Sequence, residues 1–200
     1  VTAVRGDDTC VDAAAGTAAA ERLVTSDGVQ AIVGAMCSGV TGAVLSNVAR
    51  PNGIVMISPS ATSPALTADE DDGLFFRTAP SDAREGEIMA DILMEKGVKS
   101  IALTYSNSDY GKGLAEAIAN AYTAKGGVVT INAAHDDGKA DYSAEVAALA
   151  APGGQQWMGV RMHVGQRQGR EVHPGFVRVT AVRQSQQFPP VDHVGPVILT

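Results

Sequence analysis

A short apolar run that passes directly into a polar loop decides the fold: Gly53-Ile54-Val55-Met56-Ile57-Ser58-Pro59-Ser60-Ala61-Thr62-Ser63-Pro64. Such a run is typical of a buried parallel strand, because a parallel strand is usually covered on both faces. The prolines then hold the next residues in a non-helical loop that exposes hydroxyls and carbonyls. In an open parallel sheet, ligands bind beyond the carboxyl ends of the strands. The loop is therefore a candidate binding site, with an ordinary polar connection as the simpler alternative.

Strand and helix signals alternate on both sides of this stretch, as far as residue 150. The sequence predicts strands over 30–34, 54–57, 74–77, 101–105 and 128–131. It predicts helices over 13–24 and 38–49, around 88–93 and 114–122, and over 142–150. Ser38 is the predicted N-cap of the second helix. One face of the third helix should be buried through Ile88, Met89, Ile92 and Leu93. This alternation predicts the α/β class, with parallel sheets covered by helices on both faces.

The alternation divides into two doubly wound parallel-sheet lobes, with a crossover near 78–80. Residues 1–78 form the predicted first lobe, and residues 79–150 form the second. Residues 151–200 break the rhythm, because Arg and Gln recur there, Lys is absent, and no helical or strand period persists. We interpret them as an anomalous tail, produced by a shift of reading frame near 151–156, that does not continue the sheet. The two lobes are expected to be incomplete at both ends.

Charge and composition bound the function. Hydrophobic residues make up 45 % of the 200 residues and charged residues 18 %, which is enough for a buried core. Residues 1–150 carry 10 basic against 20 acidic side chains (net −10), whereas the tail carries 5 against 2 (net +3). A net charge of −7 argues against a nucleic-acid partner.

No apolar run approaches the roughly 18 residues that span a bilayer. Residues 1–8 read as a strand and an acidic turn, so either the chain is cytosolic or a targeting segment has been removed.

The two cysteines, Cys10 and Cys37, leave three interpretations open. They are too few for a four-ligand zinc site, and no metal site is expected. They could be buried free thiols, or a disulfide, which would indicate an oxidising compartment. In the third interpretation Cys37 is the nucleophile of a hydrolase or amidotransferase, and His135 would have to be its general base.

Two further loops follow predicted strands. Residues 35–39 lie at a helix start, where free N–H groups and the helix dipole favour a carboxylate or phosphate. A capping role for Ser38 is the simpler alternative there. The spacing from Gly34 to Gly39 is that of a phosphate-binding loop, but Val40 and Thr41 stand where that motif has Lys and Ser/Thr. Residues 106–113 offer an aromatic face and an acidic N-cap.

Several stretches, taken in order, resemble the leucine/isoleucine/valine-binding proteins, which are type I periplasmic binding proteins and substrate-binding proteins of ABC transporters. They are Asp7-Asp8-Thr9-Cys10, Val33-Gly34-Ala35-Met36-Cys37-Ser38, residues 53–67, Phe76-Arg77-Thr78 and Asp109-Tyr110-Gly111-Lys112-Gly113-Leu114. The likeness covers residues 1 to about 150. The family's first strand–helix unit has no counterpart here. Nor does the acidic residue that pairs with the ligand ammonium group have a recognisable counterpart after residue 151.

The resemblance implies a disulfide between Cys10 and Cys37. It also implies a ligand set for a small amino acid of the branched-chain type: Ser38, Ser60, Ala61, Thr62 and Tyr110. In that set Ser38 takes the carboxylate, Thr62 and the Ser60 carbonyl take the ammonium group, and Tyr110 is a wall from the opposite lobe.

A monomeric periplasmic protein is therefore expected, without catalysis or cofactor, that closes around its ligand and delivers it to a membrane ABC permease. An amide- or amino-acid-sensing regulator or receptor domain of the same fold is the alternative, because the fold does not choose between transport and sensing.

Overall fold

The computed structural model describes residues 2–151 with their side chains, and residues 156–162 and 177–183 as backbone. The helices are α1 (Ala13–Thr25), α2 (Ser38–Val44), which continues into a π-helical segment (Leu45–Ala49), α3 (Ala65–Ala68), α4 (Asp82–Glu95), α5 (Asp109–Ala124) and α6 (Ser143–Ala150). The strands are β1 (Ala31–Val33), β2 (Val55–Ser58), β3 (Phe75–Arg77), β4 (Ser100–Ser106), β5 (Val128–His135), β6 (Gln156–Met162) and β7 (Val177–Arg183). The predicted α/β alternation is confirmed.

The first sheet has the order β1-β2-β3, and both of its pairings are parallel. Helices α1 and α2 pack against each other, and α2 with its π-helical segment covers Met56 and Phe75. The opposite face carries a row of apolar side chains in register: Val33, Ile57 and Phe76, which are 83 %, 38 % and 54 % exposed. Within the described part of the chain, this sheet therefore has one covered face rather than the two that were predicted.

The second sheet has the order β5-β4-β6-β7. Strand β4 is parallel to both β5 and β6, and β7 returns antiparallel to β6. The expectation that residues 151–200 do not continue the sheet is wrong for β6 and β7. Strand β4 is mostly buried, and pairing with β6 satisfies backbone groups along an edge that would otherwise stay open. The reading-frame interpretation of the tail stays a prediction.

The second core lies where α4 and α5 pack on β4. Its fully buried side chains include Ile101, Leu114, Ile118 and Tyr122, and the Tyr122 hydroxyl donates to the Val98 carbonyl at 2.7 Å. Tyr122 is held in place at both ends by these contacts. This core is distinct from the one beneath the first sheet.

The predicted buried face of α4 is partly wrong. Ile88 and Ile92 are 38 % and 42 % exposed, whereas Gly86, Ala90 and Leu93 are buried. A Cβ atom on Gly86 would lie 2.6 Å from the Ala117 carbonyl carbon. Close contact with α5 therefore requires small residues, such as Gly86 and Ala90, on the buried face of α4. The β-branched residues Ile88 and Ile92 lie on the exposed face.

The N-terminal segment also differs from its prediction. No strand forms in residues 2–9. Instead the Asp8 carboxylate accepts a hydrogen bond from the Met36 amide at 2.7 Å. A local turn, in which Thr9 Oγ1 accepts from the Asp12 amide, leads into α1. The segment is thus held by side chains against the loop that follows β1.

Candidate ligand-binding site

A disulfide between Cys10 and Cys37 fixes the start of α2. The two Cα atoms are 5.1 Å apart, and Cys37 is buried. Cys37 keeps extended backbone and is the N-cap of α2, so the prediction that Ser38 is the N-cap is wrong by one residue. The predicted disulfide is confirmed. In this disulfide Cys37 has no thiolate to act as a nucleophile, and His135 Nδ1, its predicted general base, pairs with Thr104 Oγ1 at 2.7 Å.

Ser38 joins the loop after β1 to the loop after β2. It is the first residue of α2 and is buried, and its hydroxyl accepts a hydrogen bond from the Ser63 amide at 3.1 Å. Ser60 makes a second link, since its hydroxyl donates to the Met36 carbonyl at 2.6 Å. Ser38 and Ser60, two of the predicted site residues, thus lie on one continuous rim, which is formed by the loops after β1 and β2.

Ser58, which was not among the predicted site residues, supports this rim from below. Its fully buried hydroxyl donates to the Ala35 carbonyl at 2.7 Å and accepts from the Ala61 amide at 3.0 Å. The sequence offers one signal for this role, since Ser58 is a polar residue at the inward-facing end of the apolar strand β2. Ser58 therefore sets the path of the loop before the loop reaches Thr62.

Arg77, at the end of β3, holds the same loop from the side. One guanidinium nitrogen donates to the carbonyls of Ala61 and Ser63, at 3.2 and 2.9 Å, and another donates to Thr67 Oγ1 at 2.6 Å. The Ala61 carbonyl and amide are both engaged, and its methyl group is buried. No hydrogen bond among the described residues uses the Ser60 carbonyl, which is the acceptor assigned to a ligand.

Thr62 is bonded to Asp82, the first residue of α4. The Thr62 hydroxyl donates to Asp82 Oδ2 at 2.9 Å, and the Asp82 amide donates to the Thr62 carbonyl at 3.0 Å. Asp82 is 4 % exposed. Burial raises the pKa of its carboxyl, while the hydrogen bond from Thr62 and the charge of Arg77 act in the opposite direction. No local pattern in the sequence marks Asp82, which lies 20 positions from Thr62.

Tyr110 lies in the first turn of α5 and is 5 % exposed. Its hydroxyl has no hydrogen-bond partner among the described residues. Burial raises the pKa of the phenol, and the negative charges of Asp82 and Glu85 raise it further. The predicted wall residue therefore faces the acidic start of α4.

The two lobes approach closely at two glycines. A Cβ atom on Gly39 would lie 2.7 Å from Asp109 Oδ2, and one on Gly113 would lie 2.9 Å from Ser63 Oγ. Beside this contact is a cavity of about 680 Å³. Its walls come from both lobes and include Ser38, Ser63, Leu66, Asp109, Lys112 and Glu116. Among the five predicted ligand residues, Ser38 alone lines it, so the cavity lies next to the rim rather than over Thr62.

The described residues contain neither a candidate metal site nor a candidate membrane-spanning helix. They hold no group of three or more His, Cys, Asp and Glu side chains arranged to bind a metal ion. None of their helices combines the length and the apolar character needed to cross a membrane.

Two α/β lobes with strand-end loops converging at their junction define the type I periplasmic binding proteins. The sequence model of the periplasmic binding protein family matches residues 3–160. The chain belongs to the leucine/isoleucine/valine-binding protein family of this class, whose members bind solutes.

Relatives of the chain agree with this assignment. Leu/Ile/Val-binding protein homolog 3 of Brucella melitensis is 37 % identical over 144 residues, which are 70 % of this chain and 38 % of that protein. The branched-chain amino acid transporter substrate-binding protein LivJ of Streptococcus pneumoniae, solved with isoleucine, is 31 % identical. Its TM-score is 0.61 over 73 % of this chain and 40 % of that one.

A solute-binding protein of an ABC transporter from R. palustris, solved with benzoate, has a TM-score of 0.67 over 76 % of this chain and 42 % of that one. At 22 % identity this likeness shows the fold alone. The chain spans 38 to 40 % of the length of the relatives it matches first.

Proposed function

We propose that the protein captures a small amino acid of the branched-chain type and delivers it to an ABC permease. The observation that carries this proposal is that two hydroxyls on the rim have opposite hydrogen-bonding roles: one accepts a hydrogen bond from the protein and the other donates one. Ser38 accepts from the Ser63 amide, which leaves its proton free to donate to a carboxylate. Thr62 donates its proton to Asp82, which leaves its lone pairs free to accept from an ammonium group. A zwitterion presents that pair of groups.

The neighbouring groups fit the same ligand. The Ser60 carbonyl is a second acceptor for the ammonium group, next to Thr62 in the chain. Tyr110 supplies an aromatic surface from the second lobe, at the start of α5. Arg77 and Ser58 hold the loop in place, so that little ordering remains to be done when the ligand binds.

The cellular setting is part of the proposal. A disulfide between Cys10 and Cys37 is typical of an oxidising compartment, which favours the periplasm over the cytosol. The Brucella melitensis relative is named as a Leu/Ile/Val-binding protein, and the Streptococcus pneumoniae protein is named as the substrate-binding protein of a branched-chain amino acid transporter. The protein then acts as a non-catalytic monomer whose partners are the amino acid and the permease.

Calorimetric titration of the protein with leucine, isoleucine, valine and benzoate tests the ligand class. The three amino acids carry both charges, whereas benzoate carries the carboxylate alone. We expect the amino acids to bind more tightly than benzoate by at least about tenfold, because a hydrogen bond from a charged ammonium group contributes about 1.5–3 kcal/mol. Tighter binding of benzoate, or no binding of any of the three amino acids, would contradict the proposal.

A further inference from the structure

One buried residue of the first lobe contacts both the rim and the second lobe. Ser63 is 2 % exposed, and its amide donates to Ser38 Oγ at 3.1 Å. Its own hydroxyl oxygen lies 2.9 Å from the position of a Cβ atom on Gly113, which belongs to α5 of the second lobe. All three residues line the cavity whose walls come from both lobes. Ser63 therefore links a hydroxyl of the rim to the facing helix.

The contact between the lobes, and not the helix itself, accounts for glycine at position 113. Gly113 lies in the second turn of α5, where glycine destabilises a helix relative to alanine. A Cβ atom at this position would lie 2.9 Å from Ser63 Oγ and 3.0 Å from Pro64 Cδ. The serine hydroxyl can rotate, but the proline ring is fixed to the backbone. A side chain at position 113 would therefore hold α5 away from the loop after β2.

Ser63 cannot move away from α5 without changing the hydrogen bond at Ser38. Its carbonyl accepts from Arg77 at 2.9 Å, and its amide is the group that donates to Ser38. The effect also operates from the ligand side. When the Ser38 hydroxyl donates to a carboxylate, it becomes a stronger acceptor for the Ser63 amide, because hydrogen bonds in a chain polarise one another.

We propose that Gly113, Ser63 and Ser38 form a relay that couples the contact between the lobes to occupation of the rim, with Gly113 as a positioning residue. The inference rests on the proposed function and states how a ligand at Ser38 favours the seating of α5 on Ser63. Coupling between two events is reciprocal in free energy. A substitution that keeps α5 from seating on Ser63 therefore weakens the ligand.

The other close approach of the lobes is less demanding. A Cβ atom on Gly39 would lie 2.7 Å from Asp109 Oδ2, but this oxygen is the free end of an exposed side chain that can rotate away. Gly42, one turn further along α2, lines the same cavity and has room for a methyl group. The nearest atoms to its Cβ position are Leu66 Cδ2 at 3.7 Å and Asp69 Oδ2 at 3.8 Å. Gly42→Ala is therefore the matched control for Gly113→Ala.

The test is a double-mutant cycle between positions 63 and 113. Leucine affinity is measured by calorimetry, and the radius of gyration with saturating leucine is measured by small-angle X-ray scattering. The proteins are the wild type, Gly113→Ala, Ser63→Ala, the double variant and Gly42→Ala. Ser63→Ala removes the hydroxyl nearest to the new methyl group and keeps the amide that donates to Ser38. Thermal unfolding without ligand reports on the integrity of α5.

We expect Gly113→Ala to weaken leucine binding by about tenfold and to give the leucine-bound protein a larger radius of gyration than the wild type. The same substitution made in Ser63→Ala should weaken binding by less than about threefold, because the nearest atom has been removed. Its thermal midpoint should not fall, since alanine favours the helix. Gly42→Ala should change neither the affinity nor the radius of gyration.

Equal losses from Gly113→Ala in both backgrounds, with or without a lowered midpoint, would show a disturbance of α5 rather than a relay through Ser63, and would overturn the inference. An equal loss in Gly42→Ala, or unchanged leucine affinity in Gly113→Ala, would overturn it as well. In each of these cases the wild-type protein binds leucine and the proposed function survives. If the wild-type protein binds no amino acid, the proposed function fails and the inference fails with it.

Discussion

Thr62 and Asp82 are joined by two hydrogen bonds of opposite direction. The Thr62 hydroxyl donates to the Asp82 carboxylate at 2.9 Å, and the Asp82 amide donates to the Thr62 carbonyl at 3.0 Å. One residue belongs to the strand-end loop of the first sheet, and the other begins the helix that follows the crossover. A ligand that contacts Thr62 is therefore one hydrogen bond away from the start of α4.

Asp82 should make the stability of the unliganded protein depend on pH. Burial raises the pKa of its carboxyl in the folded protein above the value of 3.8 expected when unfolded. The folded state thus binds the proton more tightly, and the resulting stability is present below that value and is lost as pH rises through the folded pKa. Burial and the charge of Asp82 raise the pKa of Glu85 in the same direction, and the raised pKa of Tyr110 keeps its phenol neutral.

Urea unfolding between about pH 4 and pH 7 measures this effect. The free energy of unfolding should fall more steeply with rising pH in the wild type than in Asp82→Asn. Parallel curves for the two proteins would show that Asp82 is not the group responsible.

Arg77→Lys should destabilise the loop after β2. A single ammonium group cannot reach the Ala61 and Ser63 carbonyls and Thr67 Oγ1 in the geometry of the guanidinium fork. We expect a loss of about 1–3 kcal/mol in the free energy of unfolding, together with weaker leucine binding, because hydrogen bonds from a charged donor are lost.

The control for Arg77 is Arg84→Lys. Arg84 is 68 % exposed and pairs with Glu87 on the surface of α4, so its replacement should change stability by less than about 0.5 kcal/mol. Equal effects of the two substitutions would argue against a specific role for Arg77.

Cys10 and Cys37 should show no reactive thiol in denatured, unreduced protein. Reduction should lower the free energy of unfolding by roughly 3–4 kcal/mol, since the disulfide closes a loop of 27 residues in the unfolded chain. Thiol titration and urea unfolding with and without reductant measure both quantities. Two reactive thiols before reduction would contradict the disulfide.

The position of the rim was predictable from sequence, because neighbouring parallel strands place their carboxyl ends side by side. Ser38 and Ser60 indeed lie together there. Local patterns could not identify their supports. Arg77 reaches back 16 residues to Ala61, and Asp82 reaches back 20 residues to Thr62. Such pairs are formed by tertiary packing, which leaves no spacing signal in the sequence.

Apolar periodicity was a poor guide to α4 for a related reason. Ile88 and Ile92 suggested the buried face, but close packing against α5 requires small residues, and Gly86 meets the Ala117 backbone. The expectation that residues 151–200 do not continue the sheet was wrong, because β6 pairs through backbone hydrogen bonds. Such bonds do not depend on an amphipathic side-chain pattern. In both cases the neighbouring element determined the outcome.

The affinity for leucine of Ser38→Ala and Thr62→Ala, measured by calorimetry beside the wild-type protein, tests the central claim most directly. Each substitution removes a hydroxyl assigned to one charged end of the ligand, so each should weaken binding by about 10- to 100-fold while the fold is retained. Ser106→Ala, at the end of β4 in the second sheet, should do much less. If both rim substitutions leave the affinity for leucine unchanged, the amino acid does not bind where Ser38 and Thr62 lie.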